Sequence, residues 1–233
     1  GRASSDIPRK KVLILHYIEL LWRFASVFLT SKWRRAALYY SLTIFDFWAA
    51  QRLAADAPRI VVGFESSSLA LFREAKRIGA LCVLDAASVH FRYQARARSL
   101  SDGSFQTRID LRKAEEIALA DKILVLSNFA RETYIEAGVA PAKLVTIPLG
   151  ADINLFSQKP PRISTNGFNY LFVGNLTTEK GVDLLLEAFR CIDVPGKTLT
   201  LVGSDHGRLR DPTTPLQNVR WTGRLSSAAL RDE

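Results

Sequence analysis

Seven short apolar runs punctuate the chain: Arg59 to Phe64, Leu81 to Asp85, Lys122 to Ser127, Lys143 to Pro148, Tyr170 to Gly174, Leu199 to Gly203 and Asn218 to Thr222. Four longer stretches between them, Ser66 to Ile78, Asp110 to Ala120, Asn128 to Ala137 and Gly181 to Ile192, read as helices. Unbroken apolar strands alternating with helices predict parallel sheets covered on both faces, a doubly wound α/β architecture. Such sheets bind ligands beyond the carboxyl ends of their strands, so the residues that follow each strand carry the functional question.

The alternation breaks between Ala151 and Gly167, where a Pro pair and polar turn formers show no sustained period. This places a first domain over residues 1–155, a linker over 156–166 and a second domain over 167–233. With three strands and little more than one helix, the second domain buries little surface for a unit standing alone. It reads as truncated, since Leu225 to Glu233 begins a new helix opened by Ser226 and Ser227. With Gly1 first and no methionine, the chain reads as a piece of a longer protein.

At 48% hydrophobic and 24% charged residues, the chain is globular and neither disordered nor fibrous. A net charge of +9 implies affinity for polyanions: nucleic acid, an anionic membrane surface or a phosphorylated substrate. Residues 17–54 mix Arg23, Lys32, Arg34, Arg35 and Arg52 with Trp22, Trp33, Trp48, Tyr39 and Tyr40, as interfacial helices do. An amphipathic core helix with a solvated basic face fits the same residues, and periodicity does not separate the two. The Val12 to Thr30 span is interrupted by His16, Glu19 and Arg23, against a membrane-spanning helix. Cys82 and Cys191 lie in apolar segments and read as buried thiols in a reducing compartment.

Residues 172–181, Phe-Val-Gly-Asn-Leu-Thr-Thr-Glu-Lys-Gly, run from a strand into a helix. Gly174 lets backbone approach a ligand, Thr177 or Thr178 can cap the helix, and Lys180 stands at the helix's positive end. A lysine there is disfavoured by about 0.3 to 1 kcal/mol. An anion held by Lys180 and the helix-start amides would offset that cost. The stretch matches neither the Walker loop nor the Gly-x-Gly-x-x-Gly turn. The plain alternative is a strand–loop–helix connection with Lys180 solvated and Glu179 beside it. In the first domain, the strand ending in Val83-Leu-Asp-Ala-Ala-Ser-Val-His90 presents a histidine past its end, with Ser88 and Glu65 similarly placed.

From Ala120 the chain reads Ala-Asp-Lys-Ile-Leu-Val-Leu-Ser, then Gly138-Val139, then Val-Thr-Ile-Pro-Leu-Gly-Ala-Asp152 with a following Phe156. It continues through Phe172-Val-Gly-Asn-Leu, Lys180-Gly and Leu185-Leu-Glu-Ala-Phe to Leu199-Thr-Leu-Val-Gly. In order and spacing this string, spanning roughly Ala114 to Gly223, resembles the retaining, nucleotide-sugar-dependent glycosyltransferases of the GT-B fold, glycosyltransferase family 4 (group 1). The resemblance implies two Rossmann-like domains with the sugar nucleotide mostly on the second. Lys180 would bind the donor diphosphate, Gly174 would open the phosphate loop, and Gly203 and Thr222 to Arg224 would lie near the nucleotide. His90 would face the transferred sugar, and Asp152 would cap a turn at the hinge. The family often has Arg after the loop glycine. Asn175 stands there instead, and a neutral hydrogen bond is roughly half as strong as a charged one. Glu179 and Glu187 match the family's Glu-x7-Glu spacing but sit at the wrong helix, so that element, like the N-terminal Gly-rich loop, is expected outside this chain.

The aromatic and basic segment near Trp22 to Trp48 leads to the expectation that a hexose goes to a lipid-linked or polysaccharide acceptor. The resemblance further implies transfer with retention. It implies no metal and no cofactor beyond the donor. The protein is expected in the cytoplasm, peripheral on the inner membrane face, with no nucleic-acid partner. The 233-residue piece alone is expected to be inactive. Two other readings stay open: a basic membrane-surface or nucleic-acid-binding α/β module, and a GT-B-like nucleotide-sugar epimerase.

Overall fold

The computed structural model describes residues 31–96, 104–151, 153, 154, 156, 167–205 and 217–232. The chain divides into two compact units, residues 1–149 and 150–233, and each holds one parallel sheet. The Val12 to Thr30 span, Asp152 and most of the 156–166 linker lie outside the described residues.

In the first unit the order is α1 (Ser31–Asp56), β1 (Ile60–Phe64), α2 (Leu69–Arg77), β2 (Leu81–Ala86), α3 (Phe91–Arg96) and α4 (Ser104–Leu119). Then come β3 (Lys122–Val125), α5 (Asn128–Glu136), a 3-10 turn at Pro141–Lys143 and β4 (Leu144–Thr146). The four strands lie side by side in sequence order, all parallel. Alternate strand residues Val61, Cys82, Leu84, Ile123 and Val125 pack with Phe72, Ile117, Ala130 and Tyr134 from α2, α4 and α5. Right-handed crossovers taken always in one direction put successive helices on the same side. Ile60, Val62 and Phe64, on the other face of β1, are accordingly exposed.

Two buried carboxylates hold the start of α2. Asp46 of α1 accepts the amides of Ala70 and Leu71 at 2.7 and 2.9 Å. Glu116 of α4 accepts those of Ser66 and Ser68 at 2.6 and 2.8 Å. Arg112 lies between them, paired with Asp46 and 3.4 Å from Glu116. The N–H groups that a helix start leaves without partners are thus taken up by the protein's own anions.

The second unit runs β5 (Asn169–Val173), a 3-10 turn at Thr178–Lys180, α6 (Val182–Cys191), β6 (Thr198–Val202), β7 (Val219–Gly223) and α7 (Ser227–Asp232). Its strands are parallel in the order β5-β6-β7. Val182, Leu186 and Phe189 form the inward stripe of α6 and pack on Leu199 and Leu201. Cys191 falls off that stripe and is exposed, contrary to the expectation of a buried thiol, whereas Cys82 is buried in β2. Among the described residues no helix is long and apolar enough to cross a membrane.

Candidate functional site

The carboxyl end of the second sheet is built around three glycines. Backbone bonds run from the Gly174 N–H to the Val202 carbonyl at 2.9 Å and from the Gly203 N–H to the Gly223 carbonyl at 2.9 Å. The Leu176 N–H reaches the Ser204 carbonyl at 3.0 Å and so ties the β5 loop to the end of β6. Gly203 is buried with φ 154°, and a Cβ there would stand 1.7 Å from the Gly174 carbonyl oxygen. Side chains are excluded at this point so that two strand ends can touch.

Beside them the β6–β7 register slips, with Leu201 opposite Trp221 but Val202 opposite Gly223. Thr222 is the extra residue of this bulge, a device that re-aims side chains at strand ends. A cavity of about 520 Å³ opens here, lined by Leu176, Gly203, Ser204, Asp205, Trp221, Thr222, Gly223 and Arg224. Its polar set can match a sugar phosphate: a guanidinium for phosphate oxygens, a carboxylate for hydroxyl groups, and hydroxyls of either polarity. Gly203 and Arg224, singled out from the sequence, thus share one cavity.

Asn175 and Lys180 do not line this cavity; both are exposed on the β5–α6 loop that Leu176 joins to its rim. Lys180 is not in the first turn of α6, because Gly181, at φ 69°, separates the 3-10 turn from the helix. The amides of Lys180 and Val182 bond to the Thr177 carbonyl at 3.1 and 3.4 Å, and that of Gly181 to the Thr178 carbonyl at 2.9 Å. These amides are therefore not open to an anion, and neither Thr177 nor a threonine hydroxyl caps the helix. The left-handed glycine turns these three amides inside the loop, so Lys180 precedes α6 rather than standing in its first turn.

At the carboxyl end of the first sheet a buried polar cluster surrounds Glu65. Its carboxylate lies 3.2 Å from Lys113 Nζ and accepts from Ser88 Oγ at 3.3 Å and Tyr134 Oη at 3.4 Å. Burial first, and the Glu65 charge second, push the Tyr134 phenol well above its ordinary range, so it stays a donor. His90 caps α3: its Nδ1 accepts the Arg92 amide at 3.2 Å, and its own amide donates to Thr133 Oγ1 at 3.0 Å. His90 is 4% exposed, and its ring packs on Phe91 and Tyr134. Desolvation, helped by Arg92 and Lys113, lowers its pKa to about 4, which keeps the imidazole neutral with its proton on Nε2. Lys113 and Tyr134 were not singled out from the sequence. A lysine between Ile109 and Ile117, four residues from each on one helical stripe, is the signal that marks a buried cation.

No family model matches the sequence. Over 82 residues the chain is 32% identical to a subunit of the phosphatidylinositol N-acetylglucosaminyltransferase of Arabidopsis thaliana, a match covering 34% of this chain and 18% of that protein. Among solved structures, the lipopolysaccharide outer core galactosyltransferase WaaB in its apo form superposes with TM-score 0.52 at 18% identity, over 86% of this chain and 52% of that one. HepE of Anabaena in complex with UDP superposes with TM-score 0.54 at 18% identity, over 77% of this chain and 52% of that one. The chain therefore spans about half the length of these structures and under a fifth of the curated relative. The similarity shows the fold: the chain has the Rossmann-like, parallel α/β units of the GT-B glycosyltransferases.

Proposed function

We propose that this chain belongs to a retaining glycosyltransferase of glycosyltransferase family 4 type that takes a hexose from a nucleotide sugar. The cavity at the carboxyl ends of β6 and β7 is assigned to the donor. The observation that carries this reading is the junction of Gly203 with Gly174, which opens the strand ends to a ligand flanked by Arg224 and Thr222. The UDP and UDP-glucose complexes of HepE, which share the fold, support it.

Arg224 and Lys180 would stabilise the charge that builds on the departing diphosphate. Asn175 would add a neutral contact, and His90 would donate from Nε2 to the transferred sugar. The acceptor would be a lipid-linked or polysaccharide glycan at the cytoplasmic face of a membrane, and neither metal nor further cofactor enters this scheme.

Titration calorimetry of the chain with UDP-, GDP- and ADP-sugars tests the reading. One sugar nucleotide should bind saturably. Lys180→Ala and Arg224→Ala should each weaken it by about 1.5 to 3 kcal/mol, the scale of a hydrogen bond to a charged group. Absence of binding across the panel would reject the assignment.

A further inference from the structure

One exposed side of α1 is apolar where a surface helix ordinarily carries charge. Trp33, Tyr40, Ile44 and Phe47 are 63%, 51%, 53% and 60% exposed. Their spacing keeps them within about 60° of one another around a helix of 3.6 residues per turn. Ala36, Asp46 and Ala50 are buried. On the same wheel Ala36 lies about 20° from Phe47, so the stripe continues the buried side of α1 out onto the exposed surface.

Its surroundings are basic. Arg34 and Arg52 are exposed on its flank, and the Arg52 guanidinium lies 4.5 Å from the centre of the Trp48 ring. Arg108 of α4 sits 5.5 Å over Phe105, whose ring meets Tyr40 at 6.1 Å. Asp46, the only acid between Trp33 and Arg52, is buried and engaged with Arg112. A second copy pairing through this stripe would bring like-charged flanks together. An anionic lipid surface complements both the aromatic stripe and its guanidinium border.

We infer that α1 docks this protein on an anionic bilayer, lying in the plane of the interface. Trp33, Tyr40, Ile44 and Phe47 enter the headgroup–acyl boundary while Arg34, Arg52 and Arg108 meet lipid phosphates. From Trp33 to Arg52 the contact runs about 29 Å at 1.5 Å per residue. This deepens the membrane placement proposed above. Its test uses no donor, so donor binding and docking fail separately.

Flotation of the full chain with vesicles of phosphatidylcholine alone, and of phosphatidylcholine with an equal part of phosphatidylglycerol, tests the inference. The chain should float only with the mixed vesicles, and less as salt rises. Arg34→Gln with Arg52→Gln should lower partitioning about thirtyfold, at about 1 kcal/mol per basic group. Ile44→Ser with Phe47→Ser should lower it at least about tenfold. Both positions are exposed, and circular dichroism checks that each variant is folded. Absence of flotation overturns the inference, as does flotation that neither pair of substitutions changes. A dimer by light scattering that Ile44→Ser with Phe47→Ser abolishes, without vesicle binding, assigns the stripe to a second copy and also overturns it.

Discussion

The backbone carbonyl of Gly174 occupies the place where residue 203 would carry its Cβ: the two would stand 1.7 Å apart. The ends of β5 and β6 are held at this distance by the Gly174 N–H bond to Val202 and the Leu176 N–H bond to Ser204. Any side chain at 203 must push the β5 loop away, and with it the rim of the cavity. Gly203→Ala is expected to destabilise the second unit by about 2 to 5 kcal/mol, from the clash and a φ that side chains rarely adopt. Urea unfolding followed at Trp221 fluorescence checks this.

Asp46 and Arg112 form a buried ion pair, and Asp46 also accepts two amides at the start of α2. Replacing Asp46 removes the hydrogen-bonded partner of the buried Arg112 guanidinium and leaves only Glu116, 3.4 Å away, to offset its charge. Asp46→Asn should cost about 3 to 5 kcal/mol. An exposed pair such as Arg73–Glu115 provides the control, for Glu115→Gln should change stability by less than about 1 kcal/mol. Chemical unfolding of both variants reads the contrast.

His90 sets a pH dependence with a definite sign. Its folded pKa of about 4 lies below the unfolded value near 6.5, so the unfolded chain binds the proton more readily in that window. Its contribution is fully present above pH 6.5 and is lost as pH falls toward 4, to a limit of about 3 kcal/mol. Glu116 acts oppositely: burial raises it to about 6, so the fold gains from its protonation as pH falls from 6 toward 4.5. The wild-type profile sums these two with the carboxyls that hydrogen bonds hold low, Asp121 through Lys76 and Glu74 through Arg77. Subtracting the profile of His90→Asn, which keeps a capping acceptor, should expose a slope of the His90 sign, and no difference between the profiles would contradict it.

All seven strands were legible because short, mainly apolar runs ending in turn formers alternate with helical stretches, whereas their order in the sheets came only with the structure. The cavity was partly legible for the same reason: Gly203 and Arg224 stand at strand ends. The rest depended on long-range or local geometry that periodicity does not encode. Asp46 reaches amides 24 and 25 residues along the chain, a pairing invisible until α1 packs beside α2. At Lys180, one left-handed glycine turns a helix start into a 3-10 turn, and Gly-x-x-x-Leu-Leu reads alike for both. His90 stands past a strand end as read, but there it caps α3, a helix of six residues too short to show a period.

The cavity at the carboxyl ends of β6 and β7 is the proposed donor site. Titrating the isotope-labelled 26.0 kDa chain with UDP and following backbone amide resonances addresses it directly. The largest shifts should fall at Gly203, Ser204 and Thr222 to Arg224, with smaller ones at Asn175 and Lys180. Saturable UDP binding whose shifts leave these residues unmoved, or no binding at all, would contradict it.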